Sequence, residues 1–319
     1  MKWQYDWQKC LRRVYFHADF DGVVSAAMLL RWSLTAEAIS LCPVDYHLKP
    51  LWGQQSLPPW SAVVDFLYHP DAYLWIDHHA NPFVLPEWAK EFRSGQLMCW
   101  SEGAPCCPVV IQGLFGSVDS SEFFREYAFW SSIVDSGAYR SPQEATDLKN
   151  PYLLASRVIG MASEAVQAQF PQLIARLSID EVLQHQPDVV ELVEAANSVE
   201  SQVRQRLVDM LEFDGSVVLF DQSEYAWPYQ RYHPYLVYPD AAFVVGIYAK
   251  RLGFEVSVGA NPWKAKPAFH LGRLCESFGG GGHAQVGGVT TNNIADAQRV
   301  AQELRRAVKI GAFQGFRAD

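Results

Sequence analysis

Residues 13–32 read RVYFHADFDGVVSAAMLLRW, and the pattern changes twice along them. Arg13 to His17 is a short β-like run, ADFDG is an acidic turn, and Val23 to Trp32 is rich in Ala and Leu and helical in character. A strand, a tight turn and a helix form the opening unit of an α/β fold. Two further apolar runs, Ala62 to Leu67 and Tyr73 to Ile76, are short, β-branched or aromatic, and end in polar residues, as buried strands of a parallel sheet do. In open α/β sheets the ligand crevice lies outside the carboxyl ends of the strands. That placement brings Asp19, Asp21, Asp65, Asp77 and His78 toward one rim.

Downstream, Glu122 to Val134 has a helical pattern, and Ser141, Pro142 and Glu144 form a start resembling a capping box. Residues 152–212 carry little β signal, and Val199, Val203, Leu207 and Leu211 recur every four residues, as on the buried face of a connecting helix. Ser216 to Phe220, Ala242 to Tyr248 and Phe254 to Val258 are β-rich, and residues 294–310 return to a helical pattern. The predicted architecture is α/β: an N-terminal parallel-sheet domain over 1–195, a linker helix over 196–213, and a smaller mixed α/β domain over 214–319.

The chain has 319 residues, 49% apolar and 19% charged, enough to bury a substantial core. Its formal charge of −9 argues against coating long nucleic acid, which depends on Lys and Arg releasing counterions. Short or small anionic substrates remain compatible, given local cations. The six cysteines include no CxxC pair, so neither a zinc finger nor a disulfide framework is indicated. The opening MKWQYDWQKCLRR lacks an apolar core, and no long apolar stretch follows, which predicts a cytoplasmic protein without membrane association. Trp3, Trp7 and Trp130 would allow an apolar patch for a homodimer.

In His17-Ala-Asp19-Phe-Asp21-Gly22, alternation places three metal-type ligands on one side of an extended segment, although a polar turn capping a helix would read the same way. Carboxylates crowded together repel unless cations neutralise them. Asp65 alone is an ordinary strand-end residue, and Asp135 alone an ordinary helix-terminal one before Gly137. Asp77-His78-His79 is more distinctive, with two imidazoles and a carboxylate closing a hydrophobic run. In Gly279 to His283, bare backbone lets N–H groups approach an anion and His283 can donate to phosphate; a flexible loop is the plainer reading. Lys250, Arg251, Lys264, Lys266, His270 and Arg273 give a basic stretch nearby that could equally be a solvated face.

Taken in order, HxDxDG at 17–22, Asp65, DHH at 77–79, Asp135 and GGGGH at 279–283 resemble the DHH phosphoesterases over nearly the whole chain. That superfamily is similar to RecJ-type exonucleases, oligoribonucleases, cyclic-dinucleotide phosphodiesterases and exopolyphosphatases. The resemblance implies that His17 and Asp19 bind one metal, that Asp21, His78 and Asp135 bind another, and that Asp65 bridges them. It further implies that Asp77 orients His78 and that Gly280, Gly281, Gly282 and His283 contact substrate, while His79, from its place beside the ligand His78, is expected to face the substrate. A carboxylate set with a minority of imidazoles suits two divalent cations, Mn²⁺ ahead of Mg²⁺. Such a pair can lower the pKa of a water and brace phosphoryl oxygens.

The match departs where many relatives carry an Arg-Ser pair, since Gly259, Ala260 and Asn261 stand in that neighbourhood. Asn261, Trp263 or Lys264 are the expected replacements in recognition, with Trp263 stacking a base. The expected function is a metal-dependent phosphoesterase acting on short oligonucleotides or small nucleotides. The alternatives are an exopolyphosphatase and an inactive nucleotide-binding protein on the same fold.

Overall fold

Along the early strands, Val14, Phe16, Ala62, Val64, Leu74 and Ile76 enter one buried cluster, while Val63 and Trp75 enter another. Alternate side chains leave opposite faces of a strand, so the sheet they form is covered on both sides. In the computed structural model, which describes residues 7–34, 38–95, 97–115, 122–250 and 253–314, this sheet has five strands. They are β1 (Arg13–His17), β2 (Ser40–Val44), β3 (Ser61–Val64), β4 (Leu74–Asp77) and β5 (Met98–Trp100). All pairings are parallel, in the order β2-β1-β3-β4-β5. Strand order reverses between β1 and β3, which makes the crevice beyond their carboxyl ends the natural ligand site. Trp3 and Arg251 lie outside the described residues.

The sequence reading missed β2 and β5 because both are weakly patterned sheet edges. β2 is half-buried and contains Pro43, while β5 is only Met98–Trp100. β3 also stops sooner than its apolar run suggests. Asp65 turns into left-handed backbone at φ 56°, and Phe66 and Leu67 pack off the strand against Trp52 and Trp75. Helix α1 (Phe20–Trp32) is capped by Asp19, whose carboxylate accepts from the Gly22 amide at 3.0 Å. Its residues are buried almost throughout.

The chain divides into two compact units, residues 1–138 with 148–196, and residues 139–147 with 197–319. The expected linker helix over 196–213 is shifted. Helix α2 (Pro187–Arg206) starts earlier, a 3-10 turn spans Leu207–Met210, and β6 (Leu211–Phe213) has already begun. Val203 and Leu207 are buried as the four-residue spacing predicts, but Leu211 pairs with Phe220 in a sheet. A four-residue spacing cannot tell a helix from a helix that tightens and then extends.

In the second unit β7 (Val217–Asp221), β8 (Phe243–Ala249), β9 (Phe254–Ala260), β10 (Gly281–His283) and β11 (Val286–Thr291) join β6 in the order β10-β11-β9-β8-β7-β6. Only β7 and β8 run parallel. One face packs Val217, Val245, Ile247, Val256 and Val258 against the C-terminal helix Ile294–Gln314. The fold is thus the predicted α/β arrangement: a parallel sheet followed by a helical region and a mixed sheet. Among the described residues no helix is long and apolar enough to cross a membrane.

Two predictions follow from this packing. A Cβ at Gly22 would overlap the His17 backbone, so Gly22→Ala should cost about 1–3 kcal/mol in urea unfolding. His69 is 2% exposed among Trp52 and Trp88, with Nε2 3.0 Å from the Gln55 carbonyl and Nδ1 accepting from the Asp71 amide. Burial lowers its pKa, and the Gln55 carbonyl and nearby Asp71 offset only part of that. The unfolded chain therefore takes up the His69 proton more readily, so this contribution is complete above about pH 6.5 and declines below it. Urea midpoints at pH 7.5 and pH 5.5 should differ less in His69→Gln than in the parent chain.

Candidate metal centre

The carboxyl ends of the first sheet gather an unusually concentrated set of acids and imidazoles. His17 closes β1, Asp19 and Asp21 lie at and just inside the start of α1, Asp65 follows β3, and Asp77 closes β4 with His78 and His79 beyond it. Asp135 comes from the last turn of helix Glu122–Ser136. The ligand atoms form three overlapping groups, His17-Asp19-Asp65, Asp21-His78-Asp135 and Asp65-His78-His79, each within 4.8 Å.

Asp65 joins the groups. It is 1% exposed, its oxygens lie 3.8 Å from His17 Nδ1 and 3.3 Å from His78 Nε2, and neither has a hydrogen-bond partner among the described residues. His78 Nε2 also lies 3.4 Å from Asp21 and 3.6 Å from Asp135. Its other nitrogen is fixed 3.0 Å from the Ala104 carbonyl, so Nε2 is held toward the carboxylates. His17 Nδ1 is 2.8 Å from Asp19.

The electrostatics report the crowding. Burial, and then the Asp65 charge, push Asp21 well above the usual carboxylate range and Asp135 up to about 6. Burial opposes charge on the imidazoles, yet the carboxylates raise His17 and His78 to about 11. Buried polar atoms without partners and acids competing for the same counter-charge are what a cation site presents when described by its protein atoms alone. Every residue expected as a ligand is in this cluster, and the donor set of hard carboxylates with imidazoles fits divalent cations.

One expected role is corrected. Asp77 does not orient His78; its carboxylate accepts from His79 Nδ1 at 2.8 Å. Residues two apart in extended chain share a side, so Asp77 meets His79, whose Nδ1 also lies 3.8 Å from Asp65. Burial opposes charge on His79, but Asp77 and then Asp65 raise it to about 9. The sequence reading also missed Tyr46, whose ring packs edge-on against His17 at 5.0 Å and His79 at 6.0 Å. Nothing in the local sequence VDYHL marks it, since β2 was itself unrecognised. The Cys107 amide was missed too; it donates to Asp21 Oδ2 at 3.1 Å.

In the second unit the expected substrate residues have other occupations. Asn261 is 2% exposed, donates to the Pro239 and Ala241 carbonyls and accepts from the Trp263 amide, so its side chain is spent on a turn. Trp263 donates to the Tyr139 carbonyl at 2.7 Å and meets Tyr232 and Tyr235, which fixes the indole as packing rather than a free stacking surface. Lys264 pairs with Asp240 at 2.9 Å and Lys250 with Glu255 at 3.0 Å, while His270 caps helix Leu271–Glu276, so the basic stretch is largely paired or capping.

The glycine run is a helix end leading into a hairpin, not an open loop. Gly279 has φ 80°, the Gly280 amide donates to the Cys275 carbonyl, and Gly281 to His283 pair with Val286 to Gly288. A Cβ at Gly280 or Gly282 would strike the partner strand. His283 is exposed beside the turn of that hairpin.

No family model matches the sequence, and no curated protein does. Among solved structures, the chain is similar to PggH, a pGpG-specific phosphodiesterase from Vibrio cholerae, at TM-score 0.73 and 22% identity over 94% of this chain and 99% of that one. It is also similar to an exopolyphosphatase-related protein from Bacteroides fragilis, at TM-score 0.53 and 13% identity over 98% and 96% of the two chains. These likenesses show a fold shared with the two proteins over nearly the whole of each chain.

If the crowded acids are a cation site, Asp65→Asn should raise the thermal midpoint in EDTA, because one buried charge is removed while Asn tolerates the left-handed backbone. The parent chain should gain about 2.7 kcal/mol at a free Mn²⁺ concentration about 100 times its Kd. Thermal scans of both chains in EDTA and Mn²⁺ check this; an equal Mn²⁺ gain in the variant would remove Asp65 from the site.

Proposed function

We propose that this chain is a phosphoesterase that uses divalent cations, Mn²⁺ ahead of Mg²⁺, to hydrolyse phosphodiester or phosphate bonds in small nucleotides or short oligonucleotides. The observation that carries the reading is the buried cluster at the switch point between β1 and β3, where Asp65 lies against both His17 and His78. His17, Asp19 and Asp65 would hold one cation, and Asp21, Asp65, His78 and Asp135 the other. Bound there, the cations would supply water activation and electrostatic bracing of phosphoryl oxygens.

The remaining work belongs to side chains. Asp77 accepts from His79 Nδ1, and as an imidazolium, the form its neighbouring carboxylates favour, the ring also has Nε2–H to donate to a phosphoryl oxygen or the leaving group. His79 is partly exposed, as a substrate-facing group must be. Tyr46, packed on His17 and His79, limits how those rings can swing. Formal charge disfavours long nucleic acid as a partner and leaves small anions as the substrate class. Similarity in fold to a pGpG-specific phosphodiesterase puts linear dinucleotides first among the substrates to try.

The test is product release from pGpG, pApA, cyclic dinucleotides, short RNA and polyphosphate in Mn²⁺, Mg²⁺ or EDTA. Turnover of a dinucleotide is expected with Mn²⁺, with none in EDTA or in Asp65→Asn. His79→Gln should lower kcat about 100-fold or more with a smaller change in KM. Tight Mn²⁺ binding without turnover of any substrate would favour a nucleotide-binding protein on this fold, and turnover of polyphosphate alone would favour an exopolyphosphatase.

A further inference from the structure

Asp135 reaches the candidate centre by a different route from its neighbours. His17, Asp65 and His78 stand at strand ends, and Asp19 and Asp21 at the start of α1, whereas Asp135 lies in the last turn of helix Glu122–Ser136. The carbonyls of a last turn lack helical partners ahead of them, so the turn takes its shape in part from the chain that follows. Here the Ala138 amide donates back to the Ile133 carbonyl at 3.0 Å and Gly137 turns left-handed at φ 64°. Only Gly137 and Ala138 separate the helix from residues 139–147, which belong to the second unit although first-unit chain precedes and follows them.

The second unit holds this excursion near both ends, each time by a side chain that donates to a backbone carbonyl. Trp263 Nε1 donates to the Tyr139 carbonyl at 2.7 Å, and the Tyr139 ring meets Tyr232 edge-on at 5.1 Å. Arg204 Nη2 donates to the Thr146 carbonyl at 3.1 Å, where Thr146 is 2% exposed. Arg204 is steadied in turn by Glu200, whose other oxygen lies 2.9 Å from Nε2 of the buried His233.

Trp263 is itself firmly placed. Asn261, just past β9, accepts from the Trp263 amide at 2.9 Å while donating to the Pro239 and Ala241 carbonyls, and the indole meets the Tyr235 ring. Bonded groups therefore run from the end of β9 through Asn261 and Trp263 to Tyr139, four residues beyond Asp135. A displaced Tyr139 carbonyl has two ordinary residues' worth of chain in which to be absorbed, and the Ala138 amide is already committed to the helix end. The strain falls on the last helical turn, where Asp135 is.

We propose that Trp263 is a positioning residue for Asp135: its indole N–H, by fixing the Tyr139 carbonyl, sets the exit of helix Glu122–Ser136 and with it the affinity of the cation assigned to Asp21, Asp65, His78 and Asp135. The inference rests on the metal-centre reading. It gives Trp263 a part in the chemistry other than stacking a base, and it gives the second unit a hold on one cation in particular, because His17 and Asp19 of the other are far along the chain from residues 139–147.

Calorimetric titration of the full chain with Mn²⁺ tests this on three variants. Trp263→Phe keeps a ring and removes the donor. A single glycine inserted after Ala138 slackens the connection without altering a packed side chain, and the third variant carries both changes. The parent chain should bind two Mn²⁺. Trp263→Phe should weaken one of them about 10-fold and leave the other unchanged, as loss of an outer partner of a metal ligand does. The insertion should do the same, and the combined variant should lose no more than either alone, because a slack connection no longer transmits the bond. Unaltered affinity for both ions in Trp263→Phe, equal weakening of both, or losses that add in the combined variant would each overturn the inference and leave the metal centre standing. A parent chain that binds fewer than two Mn²⁺ overturns the two-cation reading and the inference with it.

Discussion

Asp65 is a carboxylate held almost wholly out of water, on left-handed backbone, within 4 Å of three imidazoles and next to other buried acids. A buried charge of this kind persists only where opposite charge is close and the surroundings over-determine the geometry. Much of the first unit serves that end. Apolar residues on both faces of the sheet fix the strands, and β3 ends where Asp65 must turn. His17 at the end of β1 and His78 beyond β4 converge on its oxygens from either side. The imidazoles partly balance the carboxylates, but Asp21 and Asp135 remain displaced upward, so the protein groups alone leave negative charge in excess.

The three-residue run Asp77-His78-His79 shows how strand geometry divides labour among neighbours. His78 is anchored by the Ala104 carbonyl with Nε2 among the carboxylates, while His79 bonds to Asp77 and lies 3.8 Å from Asp65. One imidazole is thereby committed to the cluster and the other is held with a nitrogen to spare. The two rings still pack 4.6 Å apart and both lie within 4 Å of Asp65, so they differ in their anchors and not in the region they reach.

The residues of the candidate metal centre were legible from sequence because most of them sit at the ends of strongly apolar strands, where pattern and charge change abruptly. His17, Asp19, Asp21, Asp65, His78 and Asp135 all arrive where that pattern places them. The pairing of Asp77 was not legible from motif resemblance, although the two-residue period would have assigned it correctly. Edge strands escaped notice because half-buried segments such as Ser40–Val44 need no continuous apolar run. Tyr46 was invisible for the same reason, since it follows a strand that was not recognised.

The second unit is where sequence resemblance and physical role separate most clearly. Glycine is required at Gly280 and Gly282 because a Cβ at either would strike the backbone of the hairpin's partner strand, which explains both without any ligand. Gly259 has the reverse status, with space around it that no protein atom claims. A glycine that packing demands says little about binding. Gly281 shares the status of Gly259, since its backbone is not left-handed and a Cβ there would meet nothing within 4 Å, so packing accounts for part of the run and not for all of it.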